Sequence, residues 1–326
     1  MILAGRLLDR FGPRLTAAIG ALLYGGGWVA ASFSGGSFAA VLVSLGLVAG
    51  GGIGFGYVCP LAAGMRWMPD KRGLVTGVAV AGFGGGAVLL SAVAGDVLRG
   101  TDVLLFFRMY GICSGLILLA AALFISFPDE AGDGAESAAG GRRAPGLFFA
   151  LVSAGMFVGT FSGLKIVGNL ALISGQAGFG DADAILAISL FSIGNAGGRI
   201  GWGILYDRFG GICAPAALAV SAAASAALAF ALPGGIFLAV IIITGFCFGA
   251  NFVVFAGMIS DHYGIAVFHR IYPLCFLFYG AAGLAAPALG GLVSDITGSY
   301  DPALIGGAVL LAGTAVLLRL KLPAAP

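Results

Sequence analysis

Charge is scarce in this sequence: Asp, Glu, Lys and Arg together make up 9% of the 326 residues, whereas a soluble domain carries about 25%. Hydrophobic residues make up 60% of the chain, and the mean hydropathy is +1.08. This small number of charged side chains cannot cover a water-facing surface. We therefore exclude a soluble enzyme and expect no nucleic-acid partner. Lipid is therefore the expected solvent, and the chain is predicted to be an integral, multi-pass membrane protein.

The sequence also lacks the patterns of metal and disulfide chemistry. Its five cysteines lie in apolar stretches without paired spacing, which is typical of small packing residues. The two histidines, His262 and His269, are expected near a helix end, solvated rather than bound to a metal. Because no nucleophile–base pair or metal cluster falls in the apolar stretches, we predict no cofactor and no enzymatic activity.

Long apolar runs dominate what is present. A membrane-spanning helix needs about 20 predominantly apolar residues, and ten runs of that kind occur. They cover residues 15–33, 37–64, 73–98, 104–127, 147–174, 184–206, 212–232, 235–259, 267–294 and 302–321. Met1–Leu8 is predicted to be the end of an eleventh helix. The runs lack the alternation of a β-barrel, so the predicted fold class is all-α.

One polar segment interrupts these runs. Residues 128–145 are rich in glycine and charge and poor in apolar side chains, which is typical of a flexible linker. The predicted organisation is an N-terminal helix bundle at 1–127, the linker at 128–145, and a C-terminal six-helix bundle at 146–326.

An internal repeat relates the two halves. Gly5-Arg-Leu-Leu-Asp-Arg-Phe-Gly12 recurs as Gly203-Ile-Leu-Tyr-Asp-Arg-Phe-Gly210, at an offset of 198 residues (203 − 5). The counterpart of Gly146 would then fall about 50 residues before Met1. We therefore expect an N-terminal truncation, with the first helix and most of the second missing.

The positive residues outside the spans indicate orientation. If the helices alternate from the two repeated loops, twelve Lys and Arg residues fall on the side of those loops and two on the other. The two are Arg99 and Arg108. The richer side is predicted to be cytoplasmic and to hold the linker and the C-terminus, in a bacterial inner or plasma membrane.

The repeated Gly-x-Leu-x-Asp-Arg-x-Gly pattern resembles the loop motif of the major facilitator superfamily. The resemblance implies two six-helix bundles, a central substrate site and alternating access. It also implies a conformational latch, in which Asp caps or pairs at a helix end and Arg holds a neighbouring helix. The alternative is a solvated loop with topogenic charge. The residues of the predicted latch are Gly5, Asp9, Arg10, Gly12, Gly203, Asp207, Arg208 and Gly210.

Four further stretches resemble the oxalate/formate antiporter family, a group related to monocarboxylate transporters. They are Trp67–Gly84, Ile193–Arg199, Gly249–Phe252 and Phe278–Gly280. Several members of that family carry other carboxylates, such as lactate.

Two cations lie well inside predicted spans, Lys165 and Arg199, and no carboxylate lies at comparable depth. Because a charge at the bilayer centre is costly, we expect an anionic substrate to be their partner. The family resemblance implies that Arg199, on the eighth helix, binds a substrate carboxylate. The alternatives are pairing with the other bundle or snorkelling for Arg199, and snorkelling or a carbonyl partner for Lys165.

Three softer candidates complete the predicted substrate site. Tyr57, Tyr279 and Asn251 could each contact substrate, although Tyr57 could be a packing aromatic and Asn251 could bond a neighbouring helix. The family's oxalate exchanger has a lysine in the region matching Tyr272–Gly283, and this sequence has none. A dicarboxylate and a monocarboxylate both remain open.

The predicted function is that of a monomeric secondary transporter that moves a small carboxylate, by exchange. The alternatives are a carrier for a non-anionic solute such as a sugar or drug, and a truncated remnant that does not transport.

Overall fold

The computed structural model describes residues 1–82, 86, 97, 100–128, 146–230 and 232–321. Helices occupy almost all of these residues, and no strand occurs among them. The all-α prediction is therefore confirmed. In lipid, a helix satisfies the hydrogen-bonding groups of its own backbone, which is why long apolar runs fold in this way.

Eleven α-helical segments are described: α1 (Ile2–Ala31), α2 (Phe38–Trp67), α3 (72–82), α4 (Val103–Phe124), α5 (Leu147–Gly168), α6 (Leu170–Gln176), α7 (Asp181–Phe209), α8 (Cys213–Ala227), α9 (Gly234–Tyr263), α10 (Ile265–Thr297) and α11 (Asp301–Lys321). Within α2, residues Leu42–Ala49 form a π-helical stretch.

Seven helical stretches in the described part of the chain are long and apolar enough to cross a membrane. The predicted span 184–206 lies in one continuous stretch of 46 residues, Ala182–Ala227, which also holds residues 212–227 of the predicted span 212–232. The predicted span 15–33 lies in α1 except for its last two residues, and α1 is not among the seven. The predicted span 73–98 lies partly outside the described residues.

α1 is two helices joined at a kink. Gly12 has φ 74° and ψ 178°, a backbone conformation that glycine adopts without steric cost, and Pro13 follows it. The segment predicted as the end of a separate helix, Met1–Leu8, therefore precedes a real break in the helix.

The predicted span 147–174 is also interrupted. α5 ends at Gly168, and α6 begins at Leu170. The residue between them, Asn169, has φ −118° and ψ 14°, and its side-chain amide donates to the carbonyls of Lys165 (2.9 Å) and Pro287 (3.2 Å). An amide that bonds backbone carbonyls near a helix end competes with the helical hydrogen bonds, which explains the interruption.

The chain divides into two compact units. The first holds residues 1–69, 87–137 and 265–273, and in it α1 packs on α2 and α4. The second holds residues 70–86, 138–264 and 274–326; in it α7 packs on α9, α8 packs on α11, and α5 contacts both α9 and α11. From residue 129 to 145 the predicted linker lies outside the described residues, and the two-bundle division stays a prediction.

Candidate functional site

Glycine contacts bring α3 against the part of α7 that carries Arg199. A Cβ atom on Gly77 would lie 2.4 Å from the carbonyl oxygen of Arg199, and one on Gly73 would lie 2.3 Å from that of Gly203. The four-residue spacing of Gly73 and Gly77 is the small-residue pattern that lets membrane helices approach closely. Only glycine fits at these two positions without a backbone shift.

α7 also meets α9, through a second pair of glycines. Cβ atoms on Gly245 and Gly249 would lie 2.2 Å from the carbonyl oxygen of Phe191 and 2.5 Å from that of Asn195. The backbone around Arg199 is therefore held closely on two sides, which fixes the direction in which its side chain leaves the helix.

The side chain of Arg199 is 6% exposed and is held by neutral groups of three elements. Its Nε donates to Asn195 Oδ1 at 3.1 Å, one turn earlier in α7, and its Nη1 donates to the carbonyl oxygen of Val80 in α3 at 2.6 Å. The guanidinium carbon lies 4.4 Å from the ring centroid of Phe252 in α9. These contacts orient the guanidinium group and leave its positive charge in place.

Aromatic side chains of α9 and α10 surround that ring. Tyr279 lies edge-on to Phe252, with ring centroids 5.1 Å apart, and Phe276 lies 4.9 Å from Tyr279. The structure thus brings together Arg199 and Tyr279, two of the predicted substrate residues.

Lys165 lies elsewhere in the second unit. It is 5% exposed, and its Nζ donates to the carbonyl oxygen of Ala303 at the start of α11. The amine packs against Gly307, where a side chain would collide with it. This is the carbonyl-partner alternative, and no described contact joins Lys165 to Arg199.

Asn251 occupies the contact between α9 and α5. Its amide donates to the carbonyl oxygen of Phe248 at 3.0 Å, and its Oδ1 lies where a Cβ atom on Gly159 would stand. Tyr57 belongs to the first unit, is 4% exposed and stacks on Tyr272 with ring centroids 6.5 Å apart. Both side chains lie in packed surroundings.

In the first motif copy, Gly5–Gly12, Asp9 accepts hydrogen bonds from two side chains of α10. Arg270 Nε donates to Oδ2 at 2.7 Å, and His269 Nε2 contacts Oδ1. Gly5 packs against the backbone of His269, where a Cβ atom would lie 2.3 Å from the carbonyl oxygen.

In the second motif copy, Gly203–Gly210, Asp207 accepts hydrogen bonds from the backbone. The N–H groups of Gly73 and Leu74 donate to its two carboxylate oxygens at 2.6 Å and 2.8 Å. These N–H groups open α3, so the carboxylate satisfies donors that have no partner within the helix, at the end where the helix dipole favours negative charge.

The motif arginines do not reach a neighbouring helix in the described contacts. Arg10 lies 5.3 Å from the ring of Phe11, Arg208 lies 5.3 Å from the ring of Phe209, and both arginines are exposed.

The expectation of two solvated histidines is wrong for His269, which is 1% exposed and bound to Asp9. His262 is half-buried and stacks on Phe148, with ring centroids 3.8 Å apart. Tertiary contacts at the helix ends, which the sequence does not display, enclose both rings.

Sequence reasoning missed three groups around Arg199: the Asn195 amide, the Val80 carbonyl and the Phe252 ring. The spacing of Asn195 and Arg199 could have revealed the first, because residues four apart share a helix face. The other two come from separate helices, and no local pattern indicates them.

Comparison with known proteins agrees with this architecture. The sequence pattern of the Major Facilitator Superfamily matches residues 1–268. The chain is 28% identical to the oxalate:formate antiporter of Oxalobacter formigenes, over 88% of this chain and 69% of that protein. It is 26% identical to monocarboxylate transporter 11 of Homo sapiens, over 96% of this chain and 70% of that protein.

The fold is also found in a solved structure. The E. coli fucose:proton symporter superposes with a TM-score of 0.70 at 17% identity, covering 99% of this chain and 87% of the symporter. With the family pattern matched over most of its length and the fold shared over nearly all of it, the chain belongs to the Major Facilitator Superfamily of membrane transporters.

Proposed function

We propose that this transporter carries a small organic anion, a mono- or dicarboxylate of the oxalate, formate or lactate type, by alternating access and exchange. The observation that carries the proposal is the buried cation Arg199 in a membrane-spanning helix. An amide oxygen, a carbonyl oxygen and an aromatic face orient its guanidinium group. A carboxylate would find there a guanidinium group already held in one direction.

The free-energy cost of burying the positive charge of Arg199 favours binding of an anion. A charged side chain at the bilayer centre costs about 2.5–3.5 kcal/mol on insertion scales, and neutral acceptors relieve only part of this cost. A carboxylate adds charge-assisted hydrogen bonds and offsets the charge. Arginine suits this role because its planar donors match the two oxygens of a carboxylate.

Two relatives support the same class of solute. One is named for oxalate and formate, and the other for monocarboxylates. The likeness to the fucose symporter, at 17% identity, concerns the fold alone.

The two motif copies would serve as the conformational latch. Asp9 and Asp207 each join a helix end to a residue pair distant in the sequence, and an exchange of access would break these contacts and form them again. We propose that the ends carrying them face the cytoplasm of a bacterial cell, as the distribution of positive charge predicts, and that the protein acts as a monomer.

The test is counterflow in liposomes with radiolabelled formate, lactate and oxalate. We expect saturable exchange of at least one of these anions by the unaltered protein. In Arg199→Gln the rate should fall by about tenfold or more, because a charge-assisted contact to the substrate is lost.

Arg319→Gln provides the matched control. Arg319 is exposed near the end of α11, so the same chemical change there should leave exchange unaltered. If exchange in Arg199→Gln equals that in Arg319→Gln, the assignment of the substrate site is wrong.

A further inference from the structure

Arg108 is the only charged residue of α4, and it lies in the second turn of this membrane-length helix. Leu105 and Ile112 share its helix face, three residues before it and four residues after it, and both are exposed. Exposed apolar side chains on a helix of this kind face lipid. A cation among them is costly unless it reaches an anion or water at the membrane surface.

Contacts with the end of α1 hold the guanidinium group of Arg108 in one orientation. Its Nε donates to Ser32 Oγ at 3.3 Å, and the Ser32 hydroxyl donates to the carbonyl oxygen of Val29 at 2.6 Å. The guanidinium carbon lies 4.5 Å from the ring centroid of Phe33, which is itself exposed. Because α1 ends at Ala31, these contacts place the guanidinium group level with the end of that helix.

The remaining donors of Arg108 suit a phosphate group. Nε is one of five N–H donors, and the two Nη nitrogens make no hydrogen bond among the described contacts. The ion pairs in the described part of the chain do not include Arg108. A planar guanidinium group matches two oxygens of a phosphate. At the surface of a bilayer, the anion present in every direction is the phosphate of the lipid headgroups.

Aromatic rings lie one turn closer to the middle of the helices. Trp28 of α1 lies 5.3 Å from Phe107 and 4.7 Å from Tyr110 of α4, measured between ring centroids. The hydroxyl groups of Tyr24 and Tyr110 are 2.9 Å apart. Tryptophan and tyrosine are enriched where a membrane protein crosses the lipid–water interface, because their rings are apolar and their edges are polar. The rings therefore indicate that Arg108 lies at headgroup depth.

We infer that Arg108, Ser32 and Phe33 form a binding site for the phosphate of a membrane phospholipid. The rings of Trp28 and Tyr110 would contact the glycerol and the upper part of an acyl chain. The site lies within the first unit and fastens the packed pair of α1 and α4 to one surface of the bilayer. It does not depend on which solute the protein transports.

The experiment titrates the purified protein, in a neutral detergent, with three probes. They are phosphatidylglycerol, a diacylglycerol with the same acyl chains, and inorganic phosphate. The apparent Tm and the number of lipids retained in native mass spectra are measured. We expect phosphatidylglycerol to raise the Tm and to be retained, since a ligand that binds the folded state stabilises it. The other two probes each lack one half of the lipid and should do neither.

Arg108→Gln should raise the phosphatidylglycerol concentration needed for half of the Tm increase by about tenfold or more, because the charge-assisted contact to phosphate is lost. Arg319→Gln is the matched control. Arg319 is exposed near the end of α11, without the hydroxyl and ring contacts that orient Arg108, so its variant should respond as the unaltered protein does. Ser32→Ala keeps the charge and removes the Nε partner, so the same concentration should rise only a few-fold.

Ser32→Ala also keeps the inference testable if Arg108→Gln does not fold. Equal responses of Ser32→Ala, Arg319→Gln and the unaltered protein would then overturn it. So would an Arg108→Gln protein that binds phosphatidylglycerol as tightly as Arg319→Gln does. Stabilisation by diacylglycerol alone would show that acyl chains on an apolar surface are sufficient. Stabilisation by inorganic phosphate alone would assign the site to a free anion instead of a lipid, and either result rules out the lipid-phosphate site.

Discussion

The aspartate of each motif copy lies at the same motif position but contacts a different kind of partner. Asp9 is held by the side chains of His269 and Arg270, whereas Asp207 is held by the backbone N–H groups of Gly73 and Leu74. Side-chain partners can change in evolution and are partly screened by salt. Backbone partners are present whatever the side chains, provided that a helix begins at that point.

What the copies share is the close backbone contact made by the first glycine. Gly5 packs against the carbonyl of His269, and Gly203 packs against the carbonyl of Gly73. In each copy the residue opposite the glycine is also a donor to the aspartate one turn later. The glycine therefore sets the distance between the helices at which the aspartate can reach its donors.

The largest effect is expected from replacing these glycines. A Cβ atom would lie 2.4 Å from the Gly73 oxygen in Gly203→Ala and 2.3 Å from the His269 oxygen in Gly5→Ala, so the backbones must move apart. Overpacking of this kind costs about 1–3 kcal/mol. We expect both variants to show a lower apparent Tm in detergent and slower exchange.

Gly26→Ala is the control for this pair, since nothing lies within 4 Å of a Cβ atom placed there. The two motif variants should resemble each other and differ from Gly26→Ala. A Gly203→Ala protein as stable and active as Gly26→Ala would mean that close backbone contact is not what the copies share.

The length and apolarity of the runs made the all-α membrane fold predictable, and the repeated Asp pointed to two positions that contact other helices. The direction in which each buried cation points could not be predicted from the sequence. Lys165 and Arg199 look alike in the sequence, yet one bonds a carbonyl of α11 and the other lies beside aromatic rings of α9 and α10. In a helix that is apolar on every face, periodicity does not separate the lipid-facing side from the packed side.

A charge reversal should distinguish the two copies. Asp9→Arg opposes Arg270, and adding Arg270→Asp reverses both partners, so we expect the double variant to regain at least half of the exchange rate lost in the single variant. The effect should be modest, because exposed ion pairs contribute about 0.2–1 kcal/mol and Arg270 is 61% exposed.

The second copy offers no such rescue. In Asp207→Arg the new cation meets backbone N–H donors, which no side-chain substitution can turn into a negative partner. Loss of an N-terminal cap costs about 0.5–2 kcal/mol. The nearest candidate for compensation is Arg72→Asp, since Arg72 is at the start of α3 and pairs with Asp261 at 3.2 Å. Recovery of exchange in Asp207→Arg with Arg72→Asp would show that the second copy also works through side chains.

The smallest effect is expected at the motif arginines. Arg10 and Arg208 are exposed, and each lies above the ring of the residue that follows it, an arrangement worth about 0.5–1 kcal/mol at most. Replacement by lysine keeps the positive charge that orients the chain in the membrane and removes the planar donors. Arg10→Lys and Arg208→Lys should therefore exchange anions at the rate of the unaltered protein, within about twofold.

Arg270→Lys is the comparison, because it loses the Nε contact to Asp9 while keeping the same charge. If Arg10→Lys slows exchange as much as Arg270→Lys does, then Arg10 holds a neighbouring helix at another stage of the transport cycle, and the aspartates are only half of the latch.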